Sequence, residues 1–180
     1  MLFEREVLGI DHDPWQRDAT LAFGRGERHI SIAACHGPGK TAWAAWKVPY
    51  MMMCRFPQKT VATAPSAAQL KGALVPEIKT WFARLDPPIQ DLFEIKAEGI
   101  YLKEAPDRSY FEARTARSES PEALQGVHSD HVLLIGDEAS GIPEAIFAAG
   151  VGSMSGHTAT TVLLSNPTRT SGFFLSLIHI

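Results

Sequence analysis

Two short segments carry residue types that could act together on a nucleoside triphosphate: Ala34-Cys-His-Gly-Pro-Gly-Lys-Thr41 and Val132-Leu-Leu-Ile-Gly-Asp-Glu138. The first follows an apolar, β-like run, Ile30 to Ala34, and leads into a helix-forming stretch that begins at Gly39 or Lys40. In Gly37-Pro-Gly-Lys-Thr41, backbone N–H groups and the helix N-terminus would bind phosphate oxygens, and Ala34, Cys35, His36, Gly37, Pro38 and Gly39 are taken as nucleotide-binding positions with Lys40 and Thr41. Lys40 would reach the β and γ phosphates of ATP, and Thr41 would coordinate a magnesium ion. Ala34 stands where the consensus phosphate loop has its first glycine, and Pro38 removes one N–H donor. The second segment is a buried strand ending in adjacent carboxylates. Asp137 can sit on the magnesium ion, and Glu138 can sit beside a water aimed at the γ-phosphate. Taken singly, the first segment also reads as a glycine-rich turn and the second as a solvated strand end. Their conjunction, in this order and both at the carboxyl ends of apolar runs, points to Mg-dependent ATP hydrolysis.

A third segment, Leu163-Leu-Ser-Asn-Pro-Thr168, would bring Ser165 and the Asn166 amide within reach of the γ-phosphate, as a sensor whose hydrogen bonds change on cleavage. Asn-Pro is equally a common turn initiator. Trp15-Gln16 could read adenine, or could be core residues of an amphipathic helix. Arg114, Arg117 and Arg169 are candidates for a cation that stabilises transition-state charge, with Arg117 preferred. His128, Asp130 and His131 lack the spacing and the further ligand of a metal site, and read as loop-surface residues. Ser140 lacks the Gly-x-Ser-x-Gly setting of a nucleophile elbow.

The elements that must position these residues alternate. Asp13 caps a helix with Pro14 at its first position, running to about Phe23 and stopped by Gly24-Arg-Gly26. A strand at about His29 to Ala34 precedes the phosphate loop and its helix, which Pro49 is expected to kink or end near Val48. Thr60 to Ala64 reads as a strand, and Ser66 caps a long amphipathic helix through Leu85. Phe93-Glu-Ile-Lys and Ile100-Tyr-Leu-Lys, around Glu98-Gly99, suggest a hairpin added to a sheet edge, followed by a strand from Tyr110 to Ala113. Val132 to Ile135 and Thr161 to Leu164 are continuously apolar, as strands buried on both faces are, with a helix over Pro143 to Ala149 between them. The reading is α/β: a three-layer, mostly parallel sheet with its ligand at the carboxyl ends of the strands.

With 180 residues and 45% hydrophobic content, the chain fits one such domain and is not of disordered composition. Two cysteines, Cys35 and Cys54, make neither a disulfide framework nor a zinc site, and so indicate a reducing compartment. No apolar run approaches the ~20 residues of a membrane span, and a cytoplasmic location is expected. A formal charge of −3 excludes a globally basic nucleic-acid binder, so any DNA contact must be local, shared between subunits, or made by sequence outside this chain.

These motifs resemble the ATPase domain of the large terminase subunit of tailed bacteriophages, over about Asp13 to Phe174. The resemblance rests on Pro14-Trp-Gln16, the loop to Thr41, Thr63-Ala-Pro-Ser66, Glu122-Ala-Leu-Gln-Gly-Val-His128, Asp137-Glu-Ala-Ser-Gly141 and Ser165-Asn-Pro-Thr-Arg-Thr-Ser-Gly172. It implies a P-loop NTPase fold of the additional-strand type, and a motor that drives double-stranded DNA into a procapsid. Lys40 and Thr41 would then lie on the nucleotide, Asp137 on magnesium, Glu138 as catalytic carboxylate and Ser165-Asn166 as the coupling segment. Implied partners are DNA, a homo-oligomeric ring on a portal protein and a small terminase subunit, in the host cytoplasm and without membrane. Many relatives carry an arginine inside the phosphate loop; His36 occupies that region here, so no such arginine role transfers. A helicase-like translocase and a nucleotide-dependent switch are the alternative readings, the switch being disfavoured by the Asp137-Glu138 pair.

Members of that family carry a second, nuclease domain, and nothing in these residues can be assigned to it. The last six residues, Leu175-Ser-Leu-Ile-His-Ile180, match the translation of a transposon end used in sequencing-library preparation. We therefore expect residues 1–174 to be motor domain and 175–180 to be an artefact. Long-read sequencing of the source DNA across the codons for Phe174 to Ile180 is expected to show a frame that runs on into a nuclease domain; a genuine stop codon after Ile180 would contradict this.

Overall fold

Five apolar segments pair in parallel at the centre of the molecule, and their side chains alternate between two cores. The computed structural model describes residues 1–115, 124, 126–153, 158–167 and 173–176. Its strands are β1 (His29–Ala33), β2 (Gln58–Thr63), β3 (Phe93–Ile95), β4 (Gly99–Leu102), β5 (Ser109–Ala113), β6 (His131–Asp137) and β7 (Thr158–Ser165). They form one sheet in the order β1-β7-β6-β2-β5-β4-β3. The pairs from β1 to β5 are parallel, while β4 pairs antiparallel with both β5 and β3. The expected hairpin is therefore present as an addition to the sheet edge. Because β7 lies between β1 and β6, the order is that of the additional-strand type.

Burial on both faces explains the unbroken apolar runs. Leu133 and Ile135 of β6, with Val162 and Leu164 of β7, enter one core. Val132, Leu134 and Leu163 enter the other. Helices α1 (Leu2–Glu6), α2 (Pro14–Gly24), α3 (Lys40–Cys54) and α5 (Val75–Phe82) supply the first core; α7 (Glu144–Ser153) and α8 (Phe173–Ser176) supply the second. The result is three layers.

Two expectations about helices are corrected. Pro49 does not end α3, which continues to Cys54. An interior proline costs about 3 kcal/mol, but Met51 and Met52, each 5% exposed, lie beyond it in the core. Burying two such side chains returns roughly 3–6 kcal/mol. The single long helix expected from Ser66 to Leu85 is also divided. Ser66 does cap its start, accepting from the Gln69 N–H at 3.2 Å, and α4 (Ala67–Gln69) follows. Leu70–Leu74 is then a π-helical turn in which the Val75 N–H reaches the Leu70 carbonyl. Pro76, without an N–H, could not close an α-helical bond onto Gly72, and the wider turn falls just ahead of it. A short helix unanticipated in the sequence, α6 (Pro87–Gln90), links α5 to the hairpin.

Beneath α2 and α3 lies a buried polar cluster. Lys47 donates to Glu4 Oε1 at 2.6 Å and to Thr20 Oγ1 at 2.8 Å, and its Nζ lies 4.7 Å from the centroid of the Trp43 ring. Burial raises the Glu4 carboxyl, but the charge and hydrogen bond of Lys47 outweigh this and hold it at about 2. Burial lowers Lys47 to about 8 against the pull of Glu4. Both groups are thus ionised at neutral pH. Because Glu4 is depressed, its contribution to stability is present above its ordinary value of 4.5 and is lost as pH falls toward about 2. Glu4→Gln, which strands the Lys47 ammonium, is expected to destabilise the fold by about 3–5 kcal/mol at pH 7, and Glu4→Gln/Lys47→Met to regain most of it. Urea unfolding of the two variants checks this; equal stability of the single and double variants would contradict it.

Candidate active site

The sheet register brings the three chemistry-bearing segments to one rim. Ala33 pairs with Ser165 and Asp137 with Leu164, so the carboxyl ends of β1, β7 and β6 stand side by side. The first residue of the phosphate loop is tied to this rim, with the Ala34 N–H donating to the Ser165 carbonyl at 3.2 Å.

Between β1 and α3 the chain turns through Gly37 at φ 89 and Gly39 at φ 85. These left-handed conformations favour glycine. Cys35, His36 and Gly37 are exposed at the crest of the loop, and Pro38 and Thr41 are half-buried. Gly39 precedes the first turn of α3, where the Trp43 N–H donates to its carbonyl at 2.9 Å. Lys40 is only 7% exposed. Its ammonium donates to the Ala34 carbonyl at 2.7 Å and to the Cys35 carbonyl at 2.6 Å. Two of its three donors thus close the loop into a ring around the ammonium, leaving a third that can be directed at a phosphate oxygen.

Trp15 and Gln16 form the wall behind this loop. Trp15 is half-buried, with its ring centroid 6.4 Å from that of Trp43. Gln16 is 5% exposed. Its Oε1 accepts from the Asp13 N–H at 3.0 Å, and its carbonyl accepts from the Trp43 indole N–H at 3.1 Å. Its Nε2 lies 3.0 Å from the position that a Cβ on Gly39 would occupy. Gln16 therefore caps α2 and packs on the phosphate loop, a structural duty that its position three residues after Asp13 signalled through the capping-box spacing.

On the other side of β7, Asp137 ends β6 with 6% exposure and accepts the Glu138 N–H at 3.1 Å. Burial, followed by the charge of Glu138, raises its carboxyl to about 6. Among the described residues no salt bridge reaches it. Glu138 is half-buried and adopts a left-handed conformation, φ 49 and ψ 45. A 3-10 turn, Ala139–Gly141, follows it. Ser140 in this turn bonds the end of β7: its N–H donates to Ser165 Oγ at 3.1 Å, the two hydroxyl oxygens are 2.7 Å apart, and its hydroxyl donates to the Asn166 carbonyl at 2.9 Å. Ser140 carries no local sequence signal of this role, because its partners lie 25 and 26 residues away.

The donor set suits magnesium. No group of three His, Cys, Asp or Glu side chains comes together among the described residues. One carboxylate and one hydroxyl, from Asp137 and Thr41, match an ion that keeps waters and phosphate oxygens as its other ligands. A buried carboxylate raised by desolvation and a neighbouring charge is also a group whose charged form a cation would stabilise. The three arginines divide differently. Arg114 is half-buried and pairs with Glu112 at 2.7 Å; Arg117 and Arg169 lie outside the described residues.

No protein-family model matches the chain. Over 97% of its length it is 26% identical to a probable terminase large subunit of Enterobacteria phage P7, of which it spans 36%. The ATPase domain of the large terminase of Thermus phage P74-26 superposes over 96% of the chain and 71% of that domain, with TM-score 0.66 and 19% identity. The chain is thus similar in sequence to a phage large terminase subunit and in fold to a terminase ATPase domain. The large terminase of the thermophilic bacteriophage D6E, solved in complex with ADP, matches 87% of the chain and 39% of its own solved chain, with TM-score 0.65 and 13% identity. The terminase ATPase fold thus extends over nearly all of the described chain, and no described helix is long and apolar enough to cross a membrane.

The raised Asp137 carboxyl has a thermodynamic signature of its own. Between its ordinary value of 3.8 and about 6 the folded chain holds a proton that the unfolded chain releases. Stability from this group therefore falls as pH rises through that window. Without divalent cations, Asp137→Asn is expected to be more stable than the parent by about 1–3 kcal/mol at pH 8 and equal to it near pH 3. Urea unfolding across pH tests this, and a variant less stable at pH 8 would contradict it.

Proposed function

We propose that the chain is the ATP-hydrolysing motor domain of a DNA-packaging large terminase, working on double-stranded viral DNA in the host cytoplasm. The observation that carries this reading is the joining of three strand ends. The Ala34 N–H bonds Ser165, Ser140 bonds Ser165 and Asn166, and Asp137-Glu138 adjoin them. The sequence similarity to a terminase large subunit supports the same assignment.

In this reading the phosphate loop, Ala34 to Thr41, holds the triphosphate, and Lys40 meets the β and γ phosphates with its remaining donor. Trp15 and Gln16, which back the loop, are assigned to the base side. Thr41 and Asp137 would hold magnesium, which when bound with ATP supplies charge neutralisation at the phosphates. Glu138 accepts a proton from the attacking water, and Asn166 and Ser165 sense the γ-phosphate. Arg117 is the candidate for a cation contributed to a neighbouring subunit's site. A ring of copies on a portal protein, with a small terminase subunit, is the assembly in which such a site would be completed.

Turnover should separate from binding at Glu138. General-base removal is worth roughly 10²–10⁴-fold, so Glu138→Gln is expected to lower phosphate release by at least about 100-fold while retaining nucleotide affinity. Steady-state phosphate release and equilibrium nucleotide binding measure the two; turnover equal to the parent's would refute the assignment.

A further inference from the structure

Glu138 is the single non-glycine residue with positive φ among the described residues. A left-handed backbone costs a non-glycine residue roughly 1–2 kcal/mol, so it persists only where its surroundings enforce it. Here the enforcement comes from the turn that follows. The Gly141 N–H closes onto the Glu138 carbonyl at 2.9 Å, and the Ile142 N–H onto the Ala139 carbonyl at 3.1 Å. The turn is then gripped from both sides. The β2–α4 connection presses on one flank, where Pro65 Cγ lies 2.7 Å from the position of a Cβ on Gly141. On the other flank, Ser140 makes the three contacts to Ser165 and Asn166.

The hydroxyl pair is closed on itself. Ser140 and Ser165 each carry one proton, and both oxygens lie within donating distance of the Asn166 carbonyl, at 2.9 and 3.0 Å. Whichever hydroxyl donates to the other, the remaining one serves the carbonyl, and the Ser165 oxygen also accepts the Ser140 N–H. Ser165 is fully buried and Ser140 half-buried, so water competes poorly for these bonds.

We infer that Ser140 is a positioning residue that locks the turn bearing Glu138 to the Ser165-Asn166 segment, so that the carboxylate and the sensing strand end move as one unit. The inference rests on the ATPase reading above. It makes the hydroxyl of Ser140, which touches no reacting atom, a determinant of how Glu138 is aimed. A displacement of Asn166 is transmitted through its own carbonyl and Ser140 Oγ to a residue two positions from Glu138.

Two measurements test this. In the chain without nucleotide, Ser165→Ala removes the acceptor of the Ser140 N–H, and exchange of that amide should quicken by about tenfold or more. Unchanged exchange would overturn the lock. In steady-state hydrolysis, Ser140→Ala should lower kcat by about tenfold or more, with KM within about threefold, because the lost group acts on orientation and not on ground-state binding. Ser140→Ala/Ser165→Ala should be no slower than the worse single variant, as expected of residues acting as one unit. Parental kcat in Ser140→Ala, or multiplicative losses in the double variant, would overturn the inference while leaving the ATPase reading intact. A parent chain with no ATP turnover would overturn the ATPase reading, and this inference with it.

Discussion

The site depends on the insertion of one strand between two others. Phosphate-loop residues follow β1 and the paired carboxylates end β6, and these strands never touch; β7 pairs with both. Parallel pairing fixes relative height along the strands, so the ends of β1, β7 and β6 finish level with one another. A slip of one residue in β7 would reverse the faces of Val162, Leu163 and Leu164, each fully buried in one of the two cores. The height of the rim is therefore set by packing in the two cores that flank the sheet.

The same logic explains which features were legible in the sequence. Strands buried on both faces appear as continuous apolar runs, and the phosphate loop and Asp137-Glu138 announce themselves by composition. The hairpin at Glu98-Gly99 was legible from its flanking alternation. Pro49 misled because its local penalty is visible in the sequence, while the burial of Met51 and Met52 beyond it is a tertiary fact. The π turn at Leu70–Leu74 depends on one wider bond ahead of Pro76, which no hydrophobic periodicity encodes. Nor did anything local reveal Ser140: its partners, Ser165 and Asn166, are 25 and 26 residues away in sequence.

Gln16 shows how closely structure and candidate chemistry are interleaved here. Through one side chain and its carbonyl it caps α2, receives the Trp43 indole and packs on Gly39. The helix that precedes β1 and the loop that follows it are thus held in a fixed relation without any strand-to-strand contact. Substitution at this position acts on helix, loop and core together.

The Glu4–Lys47 pair bears on where the foldable unit begins. By motif, the domain could be taken to start at Asp13, with the first dozen residues as a dispensable lead. By charge it cannot. Removing α1 would leave an ammonium enclosed by Thr20, Trp43 and Phe23 with no anion beside it, carried on the same helix that starts at Lys40. The N-terminal boundary of any shortened version of this protein is therefore set by an electrostatic requirement, and it lies before Glu4.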